Sequence, residues 1–442
     1  MALRRNKTFA GGLLFKADGQ QTDTLPIETL PAPPVVTIPL LQHDGGVPAR
    51  PIVKNGDFVS MGQMIGCTNG KNSAAVHASV SGTVMSVTHY PHSGTAETFA
   101  VTIENNGDDE FASPIPYDKP WQESSPQELI GKIALSGVID FNGRAVPAHD
   151  KLSRAFTMPI ESLILNAMVT EPNTGADYRL FLEQTEKALT GCLICGKIAG
   201  AQRFIIVINE KNNAAEQALS AVLADERFKA MSIMTLKPRY PQHEEKLLAR
   251  TVSATPDAGE HCLVLGVASA IYIRDAVMEC IPWFKRVVAV AGPLAGSPKN
   301  ILARIGTPVS SLLKAGAVDM TKLKKIVAGG PLSGRAVPTL DTPVTKSMNA
   351  LLALDIPLKG AGGSACINCG RCMAACPMRL APMRLARLAE KNDCAEMLAW
   401  HIQDCIDCGC CAYSCPSAIN LVHYIQFGKQ RISQQLRQKA LS

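Results

Sequence analysis

The feature that most constrains this chain is a doubled cysteine run near its C-terminal end. Cys366, Cys369, Cys372 and Cys376 are followed by Pro377, and Cys405, Cys408, Cys411 and Cys415 repeat the same spacing and are followed by Pro416. Three cysteines at two-residue gaps on a tight loop reach three corners of one iron–sulfur cube, while the fourth, beside proline, points to the other cube of the pair. The spacing therefore predicts two [4Fe–4S] centres with crossed ligation. Cys366, Cys369, Cys372 and Cys415 are expected on one, and Cys405, Cys408, Cys411 and Cys376 on the other. Small residues inside the loops, Gly370 and Ala374 in one and Gly409 and Ala412 in the other, let backbone N–H groups approach the sulfides. Zinc is the competing reading, because C-x2-C pairs also serve structural zinc. Zinc does not call for two matching runs of four with a following proline, so clusters are the expectation. Cys410 stands outside the pattern and reads as a packed thiol. Two clusters that share ligand runs form a short electron wire, so no catalytic residue is expected among them.

Composition narrows the rest. A chain of 442 residues has room for about two to four domains, and 46% apolar with 19% charged residues is ordinary globular content. Lys+Arg 44 against Asp+Glu 38 leaves +6 with no long basic run, which gives nucleic-acid binding no support. No apolar run approaches the roughly 18–20 residues that a membrane-spanning helix needs. The stretch from Arg4 through Phe15 resembles a targeting signal only until Lys16 and Asp18, so the chain is read as cytoplasmic. Fifteen cysteines agree with a metal-binding role better than with a disulfide framework.

Between and beyond the cysteine runs, Met378 to His401 reads as one or two helices covering the clusters, and Asn420 to Gln438 as another with Leu421, Ile425 and Ile432 on one side. Its end, with Arg431, Arg437 and Lys439, is basic. The first 110 residues hold short β-rich runs instead: Val35 to Leu41, Pro51 to Lys54, Phe58 to Val59, Met64 to Cys67, Val76 to Ser79, Thr83 to Val87 and Phe99 to Ile103. The halves Val53 to Gln63 and His77 to Val84 resemble a biotinyl/lipoyl-like barrel-sandwich. Lys71 lies between them without the flanking residues of a modified lysine, so swinging-arm chemistry is not expected.

From about Ser125 to Arg250 apolar strands (Leu163 to Asn166, Phe204 to Asn209) alternate with helical patterns (Arg179 to Gly200, Ala214 to Asp225), which predicts an α/β layer on a parallel sheet. Strands at Val287 to Val290 and Lys325 to Ala328 around a helix near Pro308 to Ala315 have the look of a β-grasp unit. Cys192 and Cys195 share one helix face and are expected to be buried, as are the isolated Cys67, Cys262, Cys280 and Cys394.

With these parts in order, the chain resembles the C subunit of the Rnf electron-transport complex, also called Rsx. The resemblance rests on Phe9-Ala10-Gly11-Gly12, Ile38 to His43, the barrel-sandwich, Asp177 to Leu180, Ile305 to Val309, Gly329-Gly330-Pro331-Leu332-Ser333-Gly334 and both cysteine runs. It implies a multidomain α/β and β protein: a barrel-sandwich domain at 1–124, a Rossmann-like α/β domain similar to the flavin-carrying subunit of complex I at 125–255, an SLBB-like β-grasp at 256–346, an α-helical two-cluster ferredoxin domain at 347–425 and a basic tail at 426–442. It also implies a peripheral protein on the cytoplasmic face of the inner membrane. Such a protein passes electrons between NADH, FMN, two [4Fe–4S] clusters and a membrane-bound partner. A soluble reductase is the alternative partner.

The sequence departs from the family where flavin and nucleotide bind. The family loop G-V-x-G-x-G-G-A-G-F-P-T-x-x-K-L is met here by Gly137 to Leu152, reading G-V-I-D-F-N-G-R-A-V-P-A-H-D-K-L. Gly137, Gly143 and Lys151 remain, but Asp140, Asn142 and Ala145 replace glycines and Val146 the aromatic. In N-A-x-E-C-E-P, Asn166 and Glu171 remain and Val169 replaces an acid; Y-P-x-G-G-x-K-Q becomes Tyr240 to Leu247 with His243-Glu244 in place of the glycines. A non-glycine residue in a left-handed position costs roughly 1–2 kcal/mol. A carboxylate about 4 Å from a phosphate charge adds about 4 kcal/mol of repulsion at an effective dielectric of 20. Gly137, Gly143, Lys151, Asn166 and Glu171 are thus candidate flavin contacts in a degenerate site, with FMN and NADH both disfavoured. Arg144 is placed to offset part of that loss by pairing with a phosphate. The expected function is an electron relay through protein partners; the alternatives are an NADH-oxidising FMN protein and a non-catalytic scaffold.

Overall fold

Alternation of apolar and polar residues builds the first layer of the computed structural model, which describes residues 3–4, 8–15, 22–92, 95–112, 119–210, 212–253, 261–355 and 364–441. Val36 and Ile38 on Val35–Pro39, and Val101 and Ile103 on Thr95–Asn105, are fully buried. Between them the hydroxyls of Thr37 and Thr102 meet across the strand pair at 3.3 Å. That period of two is what a half-buried antiparallel strand requires. The sheet runs in the order Val35–Pro39, Thr95–Asn105, Gly82–His92, Phe58–Val59, and a three-stranded sheet of Arg50–Pro51, Met64–Cys67 and Val76–His77 accompanies it. Gly82 has φ +151 and packs where a Cβ would lie 1.9 Å from the Glu104 carbonyl oxygen, so only glycine fits that crossing.

The second layer is a five-stranded parallel sheet ordered Leu3–Arg4, Met231–Leu236, Arg203–Asn209, Ser162–Asn166, Cys262–Gly266. Ser162–Asn166 is buried along its whole length, as an interior strand covered on both faces must be. Helix Pro126–Leu135 starts with a capping box between Ser125 and Glu128. Helices Thr185–Ala199 and Val267–Met278 cross closely because Gly191 lies against the Ala270 backbone, where a Cβ would come within 1.9 Å of its carbonyl. Cys192 and Cys195, on the first of these helices, are fully buried.

Two expectations change here. The helix expected over Arg179 to Gly200 is two, Ala176–Glu183 and Thr185–Ala199, broken at Gln184. The α/β layer does not end at residue 255: Cys262–Gly266 pairs with Ser162–Asn166 in parallel, and helix Val267–Met278 packs on the same layer. Five residues of Cys, Leu, Val and Gly carry too little periodicity to assign a strand to one sheet or the next.

The third layer is a six-stranded sheet ordered Arg335–Ala336, Lys325–Ala328, Ala350–Leu354, Lys285–Ala291, Lys299–Arg304, Ile27–Thr29, with helix Val309–Ala315 on it. Buried Arg286 joins it to the parallel layer, donating to both carboxylate oxygens of Asp177 and to the Met348 carbonyl. The C-terminal part is helical: Arg371–Ala375, Pro382–Glu390, Cys394–Ala399, Cys410–Tyr413 and Leu421–Leu441. Leu385, Leu388, Met397, Ile402, Ile425 and Ile432 form its core.

Candidate functional site

The two cysteine runs fold as copies of one loop. Asn368 and Asp407 have φ +52 and +56, Gly370 and Gly409 both +73, and Arg379 and Ala418 +56 and +51. Each left-handed pair winds the chain tightly enough to turn successive cysteines inward, and Gly370 and Gly409 then start the short helices Arg371–Ala375 and Cys410–Tyr413. Backbone N–H groups point at sulfur in both copies: Asn368 donates to Cys366 Sγ at 3.4 Å, Asp407 to Cys405 Sγ at 3.5 Å and Leu380 to Cys376 Sγ at 3.4 Å. Such bonds stabilise the thiolate form that an iron–sulfur cluster needs.

Cys376 from the first run and Cys405, Cys408 and Cys411 from the second line one cavity. Its remaining wall is apolar, with Pro377, Met378, Leu380, Val422 and Ile425 among the residues that shield it. Cys410 also reaches this cavity and is fully buried. On the other side, Cys372 and Cys415 pack in one cluster with Ala386 and Leu421. Ser417 Oγ donates to the Ala365 carbonyl at 3.1 Å, tying the start of the first run to the end of the second. The donor set and its apolar shell suit two sulfur-ligated clusters.

The two centres differ in exposure. The chamber of Cys376, Cys405, Cys408 and Cys411 faces the body of the protein. There the Tyr240 hydroxyl donates to the Cys408 carbonyl at 2.7 Å, Gly12 N–H donates to the Ala375 carbonyl at 2.9 Å, and Gly409 lies against the Leu332 carbonyl. Lys429 pairs with Asp407 at 2.9 Å and also donates to the Cys405 carbonyl. The Cys366, Cys369, Cys372 and Cys415 side opens to solvent: Cys369 is exposed, and Ile367 and Met373 beside it are 66% and 56% accessible.

A cleft of about 190 Å³ lies outside the carboxyl ends of the parallel strands, where α/β folds bind ligands. Among the residues lining it are Asn142, Gly143, Asn166, Glu171, His243 and Arg335. Of the five residues expected to touch flavin, Gly143, Asn166 and Glu171 reach it. Gly137 does not: it has φ +62, packs on the Ala75 carbonyl and gives its own carbonyl to Lys346. Lys151 is not among the lining residues either; its ammonium is held by Asp140 at 2.6 Å and Glu245 at 2.8 Å. Burial pushes Lys151 down, but the two carboxylates outweigh it and hold it above its ordinary value.

Asn166, Glu171 and His243 already have partners. Asn166 donates to Asn142 Oδ1 at 2.9 Å and to the His243 carbonyl at 2.8 Å. Glu171 accepts from Leu332 N–H at 2.6 Å, Ser333 N–H at 2.9 Å and Ser333 Oγ at 2.6 Å, and burial raises its carboxyl against these bonds. His243, pushed down to about 4 by burial, shares a 2.5 Å contact with Thr170 Oγ1. The loop that carries glycines in the family is here a hairpin of Ile139–Phe141 and Ala145–Pro147, fastened to Asp44 through the Ala145 N–H at 2.8 Å. Ligand pockets typically run to roughly 300–1,000 Å³. At about 190 Å³ the cleft lies below that range, but a second cavity of about 680 Å³ shares Val169, Thr170 and Tyr178 with it, so it is the partnered polar groups and Asp140, rather than space, that set the site against FMN.

Sequence reasoning missed Tyr240 as a support of the cysteine loops, its one signal being its place in the Tyr-Pro pair, and Gly266, which no local motif marks.

An α/β and β-sheet body carrying two ferredoxin-type cysteine loops defines the class as an iron–sulfur electron-transfer protein. Family models agree part by part: an RnfC barrel sandwich hybrid domain over residues 7–108, a Nuo51 FMN-binding domain over 133–273, and a 4Fe-4S dicluster domain over 365–419. The C subunit of the proton-translocating ferredoxin:NAD(+) oxidoreductase complex of Clostridium ljungdahlii is 34% identical over 87% of this chain and 85% of its own length. Its Na(+)-translocating counterpart from Acetobacterium woodii is 33% identical over 88% of each. The C subunit of the ion-translocating oxidoreductase complex of Pseudomonas aeruginosa is 34% identical over 98% of this chain and 56% of its own length. The chain belongs to the RnfC family, the C subunits of Rnf-type oxidoreductase complexes.

Proposed function

We propose that this chain relays electrons between a redox partner and an Rnf-type membrane complex or a soluble reductase, through two [4Fe–4S] clusters. The observation that carries the reading is the cavity lined by Cys376 of one run and Cys405, Cys408 and Cys411 of the other. These four hold the inner cluster, and Cys366, Cys369, Cys372 and Cys415 the outer one. When bound, each cluster takes up and releases a single electron. The protein's own part is to place and insulate. Tyr240 fixes the Cys408 loop, the apolar wall keeps water from the inner thiolates, and Ile367 and Met373 present the outer ones to a partner.

Among the described residues no helix is long and apolar enough to cross a membrane, and the relatives are named as members of ion-translocating complexes. Docking on a membrane complex is the reading the relatives support, and a peripheral position at the cytoplasmic face is proposed with it. The division into a barrel-sandwich unit to about residue 124, a Rossmann-like unit, an SLBB-like β-grasp unit to about 346 and the two-cluster unit supplies the frame. The NADH-oxidising alternative is disfavoured by Asp140 and by the partners that Asn166 and Glu171 already hold, and the scaffold alternative by the two cysteine runs.

The test is electron transfer from the anaerobic protein to membranes that carry the other members of such a complex. Ile367→Asp with Met373→Asp should slow it about tenfold or more with iron content intact. An unchanged rate would place the docking face elsewhere.

A further inference from the structure

The polar group that the cleft hides is more informative than those that line it. Asp140 is 1% exposed, and the groups that hydrogen-bond to its carboxylate are all donors. Its Oδ1 accepts from the Gly266 N–H at 2.9 Å, at the start of helix Val267–Met278, and the Ser269 hydroxyl of the first helical turn lies beside the same glycine. Its Oδ2 accepts from Lys151 Nζ at 2.6 Å and Asn142 Nδ2 at 2.9 Å. A helix N-terminus of 12 residues, a hydroxyl, an amide and a buried ammonium converging on one point make an anion seat. Gly266 has no side chain to cap that helix, so the anion must come from elsewhere.

We propose that Asp140 is a built-in counter-anion: its carboxylate occupies the seat that the fold offers to a cofactor's phosphate and closes that seat to phosphorylated flavins and nucleotides. Two further fastenings keep it shut. Asn142 bridges Asp140 to Asn166, and Ala145 is tied to Asp44 by a bond in each direction, so the hairpin cannot swing out without breaking a connected set of buried bonds. Charge works the same way. Lys151 already faces two carboxylates, Asp140 and Glu245, and Glu244 and Asp44 border the loop, so a phosphate would arrive among four acids whose nearest cations, Lys151 on Asp140 and Glu245 and Arg335 on Asp44, are already paired, with Arg144 beside Gly45 as the remaining base. The inference goes beyond the relay reading and does not rest on it, because iron content is measured on the same samples.

The experiment is thermal unfolding of the anaerobically prepared full chain, with and without millimolar inorganic phosphate, for the native protein, Asp140→Ala and Asp140→Asn. Emptying the seat with alanine leaves Lys151 and the Gly266 N–H short of an acceptor, so that variant should melt lower and recover part of the loss in phosphate. Asparagine still fills the seat, so Asp140→Asn should melt lower with little recovery, and the native protein should not respond. In parallel, glycine at positions 140, 142 and 145 together should tighten FMN binding about a hundredfold or more, with a much smaller gain for riboflavin, which has no phosphate. If Asp140→Ala does not fold, Asp140→Ser and the native titrations decide. A folded alanine or serine variant indifferent to phosphate would overturn the proposal. So would native protein that holds stoichiometric FMN or gains as much from phosphate as the variant does. Loss of iron with these outcomes unchanged would instead count against the relay.

Discussion

The Tyr240 hydroxyl donates to the Cys408 carbonyl at 2.7 Å, a hydrogen bond that ties the α/β layer to the inner cysteine loop. Tyr240 is 1% exposed, meets the Phe15 ring edge-on at 6.0 Å, and stands 5.7 Å from the ring of His243 in the cleft. The inner centre is thus held by a residue 168 positions away in sequence.

Tyr240→Phe keeps the packing and removes one buried bond, leaving the Cys408 carbonyl unsatisfied. A loss of about 1–2 kcal/mol in stability is expected. The reduction potential of the inner centre should move while that of the outer centre stays, because changes in hydrogen bonding around a ligand tune the metal it holds. A potential titration followed by electron paramagnetic resonance reads both. Equal movement of the two centres would contradict the assignment of Tyr240 to one.

Crossed ligation makes a second prediction. Cys376→Ala, although in the first run, should damage the centre built on Cys405, Cys408 and Cys411, and Cys415→Ala should damage the one built on Cys366, Cys369 and Cys372. The spectra of the two variants are diagnostic: damage confined to the run in which each substitution lies would show that the runs bind separately.

Glu171 holds the Gly329 to Gly334 loop with three hydrogen bonds, and a Cβ on Gly330 would lie 2.0 Å from its carboxyl carbon. Glu171→Ala should destabilise the protein by about 2–3 kcal/mol. Amide hydrogen exchange at Leu332 and Ser333 should accelerate at the same time. Because Leu332 supports Gly409, exchange in the inner cysteine loop should rise with it; a change limited to the 329–334 loop would separate the two.

Acid should weaken the junction between the N-terminal layer and the rest. Burial pushes His77 down to about 3 and His43 to about 4 from 6.5. It also pushes Lys346, which donates to the Ala75 and Gly137 carbonyls, down to about 7 from 10.5. In each case the unfolded chain holds the proton more tightly than the folded one. The histidine contribution is therefore complete above about pH 6.5 and is lost as pH falls toward 4 and 3, while the lysine contribution keeps rising from about pH 7 to 10.5. Denaturant midpoints should climb with pH across both windows, by up to about 1.4 kcal/mol per pH unit for each group titrating there. Lys346→Met should flatten the upper window and leave the lower one; a slope above pH 7 that survives the substitution would contradict this.

How much of this was legible depends on distance along the chain. The cysteine loops are local, so spacing alone put Cys376 with Cys405, Cys408 and Cys411, which line one cavity, and Leu421, Ile425 and Ile432 marked the buried face of the last helix. Pairings across hundreds of residues left no local trace. Ile27–Thr29 completes a sheet whose other strands begin at residue 285, and Leu3–Arg4 one whose other strands begin at 162. Asp140 was half legible: its charge foretold a conflict with phosphate. Its bond to the Gly266 N–H depends on a strand end 126 residues later.

The measurement that tests the account most directly is iron, acid-labile sulfide and zinc analysis of the anaerobically purified chain, with Mössbauer spectroscopy on the same sample. About eight irons and eight sulfides per chain in two [4Fe–4S] environments are expected, with an absorbance near 400 nm that bleaches with dithionite. A colourless protein that carries zinc and no sulfide would contradict it.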